Sequence, residues 1–169
     1  CAPVTDYFSY ANRLLDVNGT VYLSGDLVSN GEFDDSSGWF TDLGTPGWAI
    51  IDSVADLWWQ GGSGNAVLTQ FGVCEVGKKY QISFDVDISS GSCYFAQGIL
   101  NPIINIDSSG TYTYIFEAVD DALRFVKNGP DFSDLTIDNV FVQEVEILSN
   151  PVQDDTYGSC SECITGCTD

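Results

Sequence analysis

The sequence predicts an all-β protein, a jelly-roll β-sandwich with an N-terminal arm and a cysteine-containing C-terminal tail. Three observations point there. Residues 80–88 alternate strictly, with Tyr80, Ile82, Phe84, Val86 and Ile88 on one face and Gln81, Ser83, Asp85 and Asp87 on the other; this is the signature of a half-buried strand. Turn signals recur between short apolar segments, at Gly61-Gly62, Val76-Gly77, Ser89-Ser90-Gly91, Asp107-Ser108-Ser109-Gly110 and Asn128-Gly129-Pro130. Helical periodicity is nearly absent, and only Asp6 to Asp16 has the makings of a short helix.

The elements follow in order. Residues 1–26 read as a lead-in arm holding that helix and a strand at Thr20 to Leu23. The body spans residues 27–147. Within it, the stretch Val54 to Ala66, if it is a strand at its tryptophans, puts Trp58 and Trp59 on opposite faces, one indole toward a core and the other away from it. Ala66 to Phe71, Tyr80 to Ile88, Cys93 to Leu100, Thr111 to Phe116, Leu123 to Val126 and Leu135 to Val145 are the further strands. Many short strands at this spacing favour a sandwich or jelly roll. Residues 148–169 are polar, lack Lys and Arg and hold three cysteines, as a terminal linker or the start of another module would. No internal repeat is present.

Composition sets the outer bounds. The chain has 169 residues, 44% of them hydrophobic, enough for one domain with a real core. No apolar run reaches the ~18 residues of a membrane span, and no secretory signal is visible. The absence of Met marks the chain as processed or partial. Five basic against 25 acidic residues give a net charge of -20; such a surface repels phosphate backbones, so nucleic acid is not an expected partner. The lack of His removes the commonest general base and the Ser-His-Asp and Cys-His systems.

Cys1, Cys74, Cys93, Cys160, Cys163 and Cys167 make an even count, which favours disulfides and an oxidising setting. Cys74 and Cys93 flank the best strand and would pair if their strands were neighbours. The tail spacing C-x-x-C-x-x-x-C, with Cys1, suits disulfides within the tail or to Cys1; a four-thiolate zinc knot is the alternative. Cys1 itself fits a processed lipoprotein or a cleavage boundary. Asn18-Gly19-Thr20 is a glycosylation sequon in a eukaryotic secretory host.

Four phrases in order carry a resemblance. Leu27-Val28-Ser29-Asn30-Gly31-Glu32-Phe33 followed by Gly38-Trp39 is the first. Leu68-Thr69-Gln70 with Gly77 to Asp85 is the second. Gly110-Thr111-Tyr112 to Phe116 with Leu123-Arg124-Phe125 is the third, and Thr136-Ile137-Asp138-Asn139-Val140-Phe141-Val142 closes the set. Together they resemble carbohydrate-binding modules of the family 4/9/22 type, a galactose-binding-like jelly roll. The resemblance implies a non-catalytic glycan-binding or adhesion module. It also implies a structural calcium joining the opening phrase to the last strand, through Glu32 and Asp138 with Asp34 nearby.

Sugar recognition combines a flat aromatic face with amide and hydroxyl groups. Trp48, Trp58, Trp59, Gln70, Tyr94 and Gln97 are the candidates for it. Asp85 and Asp87 read as the wet face of their strand. With 25 acids, carboxylate pairs at glycosidase spacing arise by chance, and no motif selects one. Two functions are therefore expected. The first is glycan binding on an extracellular, cell-surface or virion protein. The second is a structural subunit of a filament or phage virion, associating with copies of itself through arm and tail.

Overall fold

The computed structural model describes residues 20–41, 47–60, 65–98, 101–128 and 131–147. All of its regular structure is β. The strands are β1 (Thr20–Tyr22), β2 (Phe40–Thr41), β3 (Gly47–Ile51), β4 (Val54–Trp59), β5 (Asn65–Gln70), β6 (Lys79–Ser90), β7 (Cys93–Ala96), β8 (Pro102–Ile106), β9 (Gly110–Glu117), β10 (Leu123–Asn128) and β11 (Ser133–Ile147). The chain divides into a compact unit, Tyr22–Glu146, and a second unit made of Cys1–Val21 and Ile147–Asp169, of which only Thr20, Val21 and Ile147 are described.

Two antiparallel sheets build the sandwich. One runs β3–β4–β11–β6–β9 and the other β2–β5–β10–β7–β8. The alternation of β6 sends Tyr80, Ile82, Phe84 and Val86 into the space between them. The facing sheet answers with Leu68, Phe95, Leu123 and Phe125. Phe84 sits at the junction, stacked on Tyr112 at 5.3 Å and edge-on to Phe125 at 5.0 Å. Burying such a ring is worth about 1.5–3 kcal/mol, and aromatic pairing adds to that.

Tight connections fix the register. Asp52 and Ser53 both have positive φ, 53° and 61°, between the paired residues Ile51 and Val54; this is the two-residue type I′ hairpin that matches strand twist. Between β6 and β7 the chain crosses from one sheet to the other at Gly91-Ser92. There a Cβ on Gly91 would stand 2.3 Å from the Phe132 carbonyl oxygen, at a φ of +75°. The Ser133 hydroxyl accepts from the Ser92 N–H and donates to the Ser92 carbonyl, both at 3.1 Å, closing that crossing.

Several expectations change. The segment after Cys93 is not one strand to Leu100: β7 ends at Ala96, and β8 pairs back on it, Cys93 opposite Ile106. Pro102 opens β8, and that strand lacks alternating polarity, so it left no sequence signal. The compact unit begins at Tyr22, ahead of the expected arm boundary. The Leu23 N–H donates to Glu144 O and the Leu27 N–H to Val142 O, each at 2.8 Å, while the Asp26 carboxylate accepts from Val142 N–H at 3.1 Å. The expected helix, Cys1, the sequon's Asn18 and the tail cysteines Cys160, Cys163 and Cys167 lie outside the described residues.

Cys74 and Cys93 are not joined: both are free and buried. The reason is length. They precede and follow β6, whose 12 residues span roughly 40 Å at about 3.3 Å per residue, whereas a disulfide needs Cα atoms within about 7 Å. Flanking a strand places the two thiols at its opposite ends. Burial pushes each thiol up to about 12, with Asp121 and Asp120 adding to it at Cys74 and the Lys127 charge opposing it at Cys93.

Candidate functional site

β4 resolves the adjacent indoles. Trp59 faces the core at 7% exposure and Trp58 faces outward at 45%. Trp58 lies between Gly47 on β3 and Asp134 on β11. Asp56 shares that outer face, where burial first and the Asp134 charge second raise its carboxyl above the usual range. Trp48 is buried opposite Leu57, its indole N–H without a partner. Trp48 and Trp59 therefore belong to the core and offer no face to a ligand.

Neither glutamine is presented to solvent. Gln70 is buried, its Oε1 accepting from the Ser29 N–H and its Nε2 donating to the Ser29 carbonyl, both at 2.7 Å. Gln97 is buried as well; its Nε2 donates to Ala122 O at 2.9 Å and its Oε1 accepts from Asp120 N–H at 3.2 Å. A buried amide needs both ends satisfied. Here the main chain satisfies them, and these side chains act as struts rather than as ligand hydrogen-bonders.

What they support is the outer face of the β2–β5–β10–β7–β8 sheet. Register aligns Phe40, Thr69, Arg124 and Ala96 in one row, and Val67, Val126, Tyr94 and Asn105 in a second, parallel row. Phe71, two residues beyond Thr69, continues the first side. Phe40 and Phe71 are 61% and 55% exposed and meet edge to face at 5.4 Å. The Arg124 guanidinium stands 5.9 Å from the Phe71 ring centroid and donates to Asp120 at 2.8 Å. Burial works to raise Asp120, but the Arg124 and Ala122 hydrogen bonds outweigh it and hold the carboxyl low. Val67, Ala96 and Val126 form a small buried cluster under Tyr94, whose phenol burial pushes up and keeps protonated.

An exposed aromatic pair beside a fixed Arg–Asp couple is a coherent binding surface. The rings offer flat apolar area. The guanidinium fork and carboxylate offer paired donors and acceptors whose geometry is already set. Of the sequence candidates, Tyr94 lies on this face and Trp58 lies on the opposite sheet. Phe40, Phe71, Arg124 and Asp120 were missed. The signal for Phe71 and Thr69 was present in the alternation of β5, since Leu68 and Gln70 turn inward. A two-residue strand gives Phe40 no such signal.

The expected cation ligands do not converge. Glu32 and Asp34 line a cavity of about 400 Å³ with Asp26, Asn30 and Asn139. Asp138 is not in its lining; its carboxylate accepts from the Asn139 N–H at 2.7 Å, and Asn139 also donates to Asp85 at 2.9 Å. The cause is an irregularity in β11 between Asp138 and Phe141, where Asn139 takes a φ of 52°. Among the described residues no group of three metal-ligating side chains forms.

No family model and no curated protein matches the chain. Solved structures of the same fold do. A CBM4 structure aligns at 17% identity with a TM-score of 0.51, over 66% of this chain and 97% of its own. Apo BiXyn10A CBM1 aligns at 14% and 0.52, over 76% of this chain and 98% of its own. MgGH51 α-L-arabinofuranosidase bound to arabinose aligns at 11% and 0.53, over 72% of this chain but 27% of the enzyme. At these identities the likeness is one of fold: the chain shares the jelly-roll sandwich of carbohydrate-binding modules.

Proposed function

We propose that this chain is a non-catalytic glycan-binding module whose binding face is the outer surface of the β2–β5–β10–β7–β8 sheet. The observation that carries the reading is the exposed Phe40–Phe71 pair with Arg124 held over Phe71. A pyranose ring lays its C–H face on the phenyl rings, and Arg124 and Asp120 take hydroxyls. The sandwich fold shared with carbohydrate-binding modules supports it. Asp120 is committed to Arg124, so we assign the face no glycosidic cleavage. Recognition of polysaccharide favours an extracellular, cell-surface or particle-surface setting. The alternative role as a filament or virion subunit is favoured by Trp58, an exposed indole on the opposite sheet that a second copy would cover.

The test is calorimetric titration of the full chain with a panel of soluble polysaccharides, with and without calcium. Truncating Phe71 to Ala removes an aromatic contact worth about 1.5–3 kcal/mol, so affinity should fall roughly 10- to 100-fold. Trp58→Ala should leave it unchanged. Loss in Trp58→Ala alone would move the ligand to the other sheet. Absence of binding across the panel, with self-association in sedimentation that Trp58→Ala abolishes, would replace this reading with the subunit role.

A further inference from the structure

An open sheet ends in edge strands with unpaired main-chain groups, and proteins blunt such edges with short strands, Pro, charge or bulges unless something pairs with them. The two strand paths here end in β3 and β9, and in β2 and β8. Three of these edges are blunted. β2 has two residues, β3 is a five-residue hairpin arm that begins with Gly47, and β8 opens on Pro102 and shifts register against β7 between Phe95 and Ala96. β9 is not blunted. Its eight residues, GTYTYIFE, run in unbroken register along β6, from Gly110 opposite Val86 to Glu117 opposite Lys79. It holds no Pro, Lys or Arg, and β-branched and aromatic side chains fill its middle. Among the described residues no strand lies on its other side.

Tyr114 marks what the open edge leaves uncovered. It stands opposite the fully buried Ile82, on the side that faces the other sheet, yet it is 41% exposed. Tyr112 and Phe116 flank it on that side, half-buried and buried. A strand with aromatic residues on the same side would cover it, and β9 is itself such a strand. Opposed residues of an antiparallel pair share a face, so the two longest registers between two copies centre on Thr113 or on Tyr114. In either register Tyr112 meets Tyr114 or Phe116 of the second copy, and Tyr114 meets Tyr112 or Tyr114; aromatic cross-strand pairs are among the favourable ones. Glu117, the one charge on β9, meets Ser109 or Thr111 rather than its counterpart, and Lys79 stands opposite it within its own copy. On a chain of net charge -20 a neutral edge matters. Asp85 and Asp87 are on β6, one strand further in. With β9 paired to its copy, the two β6 strands lie three strand spacings apart, about 14 Å, outside the Debye length of about 8 Å at 0.15 M salt.

We propose that two copies of this chain join edge to edge through β9, making one continuous sheet across the pair. The two-fold axis of such a join is perpendicular to the sheet, so the same face of both copies points to the same side. Both Phe40–Phe71 faces then point one way, and a single polysaccharide can occupy the two together. That consequence rests on the glycan-binding reading above; the join itself does not.

Sedimentation velocity of the full chain, at about 0.15 M salt and without glycan, reads the join. The wild-type chain should pass from monomer to dimer as its concentration rises. Thr113 is exposed, and Thr113→Asp sets a carboxylate opposite or diagonal to its own counterpart, so the dimer's dissociation constant should rise roughly 10-fold or more. Trp58→Ala should leave it unchanged. Hydrogen exchange on the wild-type chain needs no variant: alternate amides of β9 point away from β6 and should become protected as the concentration rises. A chain that stays monomeric up to millimolar concentration, with those amides exchanging freely, would overturn the proposal. Protection of the same amides in the monomer would also overturn it, since the chain's own residues would then cover the edge. So would a dimer lost in Trp58→Ala and kept in Thr113→Asp, which moves the contact to the outer face of the sheet. Because no glycan enters this assay, failure of the polysaccharide panel is a separate result, removing the glycan face and not the dimer.

Discussion

Replacing Gly31 with Ala tests how the opening loop is locked to the last strand. A Cβ at Gly31 would stand 1.9 Å from the Val140 carbonyl oxygen, where ordinary contact begins at 3.4 Å. Loop and strand must then part by about 1.5 Å, since dispersion contacts turn steeply repulsive inside that distance. Gly31 has no positive φ, so Ala adds steric overlap and no backbone penalty. The parting breaks the Val140 N–H to Gly31 O hydrogen bond of 2.9 Å, a loss of about 1 kcal/mol. It also disturbs the seat of Phe33, which is fully buried and packed on Trp39 at 5.0 Å, at about 1–3 kcal/mol for forced repacking. The expected loss is about 2–4 kcal/mol, a drop in urea midpoint of roughly 1–2 M at an m-value near 2 kcal/mol/M. Gly25→Ala is the control, because nothing lies within 4 Å of its Cβ position. If the two variants unfolded at the same urea concentration, the reasoning from backbone overlap would be refuted.

Two further outcomes follow from side chains on the sheets. Asp56 has its carboxyl raised by burial and by Asp134. Between the ordinary and the raised pKa the folded chain holds more protons than the unfolded one, so stability falls as pH rises through that window. Asp56→Asn should gain about 0.3 kcal/mol at pH 7, given its largely solvated position, and the gain should vanish near pH 3 in paired thermal melts; a gain that persists there would point to something other than charge. Gln97→Leu strands the Asp120 N–H and the Ala122 carbonyl, costing about 1–3 kcal/mol of stability. It should also weaken glycan binding by loosening the turn that holds Asp120 to Arg124. Unchanged affinity in that variant, measured by the same calorimetry, would detach the strut from the face.

The sandwich was legible in the sequence wherever a strand alternated across a wet and a dry side, as β6 does from Tyr80 to Ile88. It was illegible where a strand was short or uniformly apolar. β3 and β8 carry few polar residues, and β2 has two residues in all. The candidate site was harder to read for a different reason. Gln70 and Gln97 are chemically suited to sugar hydroxyls, but a side chain's type does not say whether the main chain already occupies its polar ends. Tertiary packing decided that, as it decided which of Trp58 and Trp59 is covered. Asp138 stands outside the cavity that Glu32 and Asp34 line, beside a local irregularity in β11, and no residue pattern announces a register shift at Asn139.

Cys74 and Cys93, unlinked and separated by the length of β6, make the sandwich indifferent to redox poise. Its cohesion is apolar burial and hydrogen bonding, and neither changes with the glutathione potential of a compartment. Nothing in the described strands needs an oxidant to mature. The same body would hold its shape in a reducing cytosol during synthesis and in oxidising surroundings afterwards. With both thiols pushed up to about 12, the thiolate that exchange chemistry requires is scarce at neutral pH, so these two cysteines are poor entry points for oxidative damage.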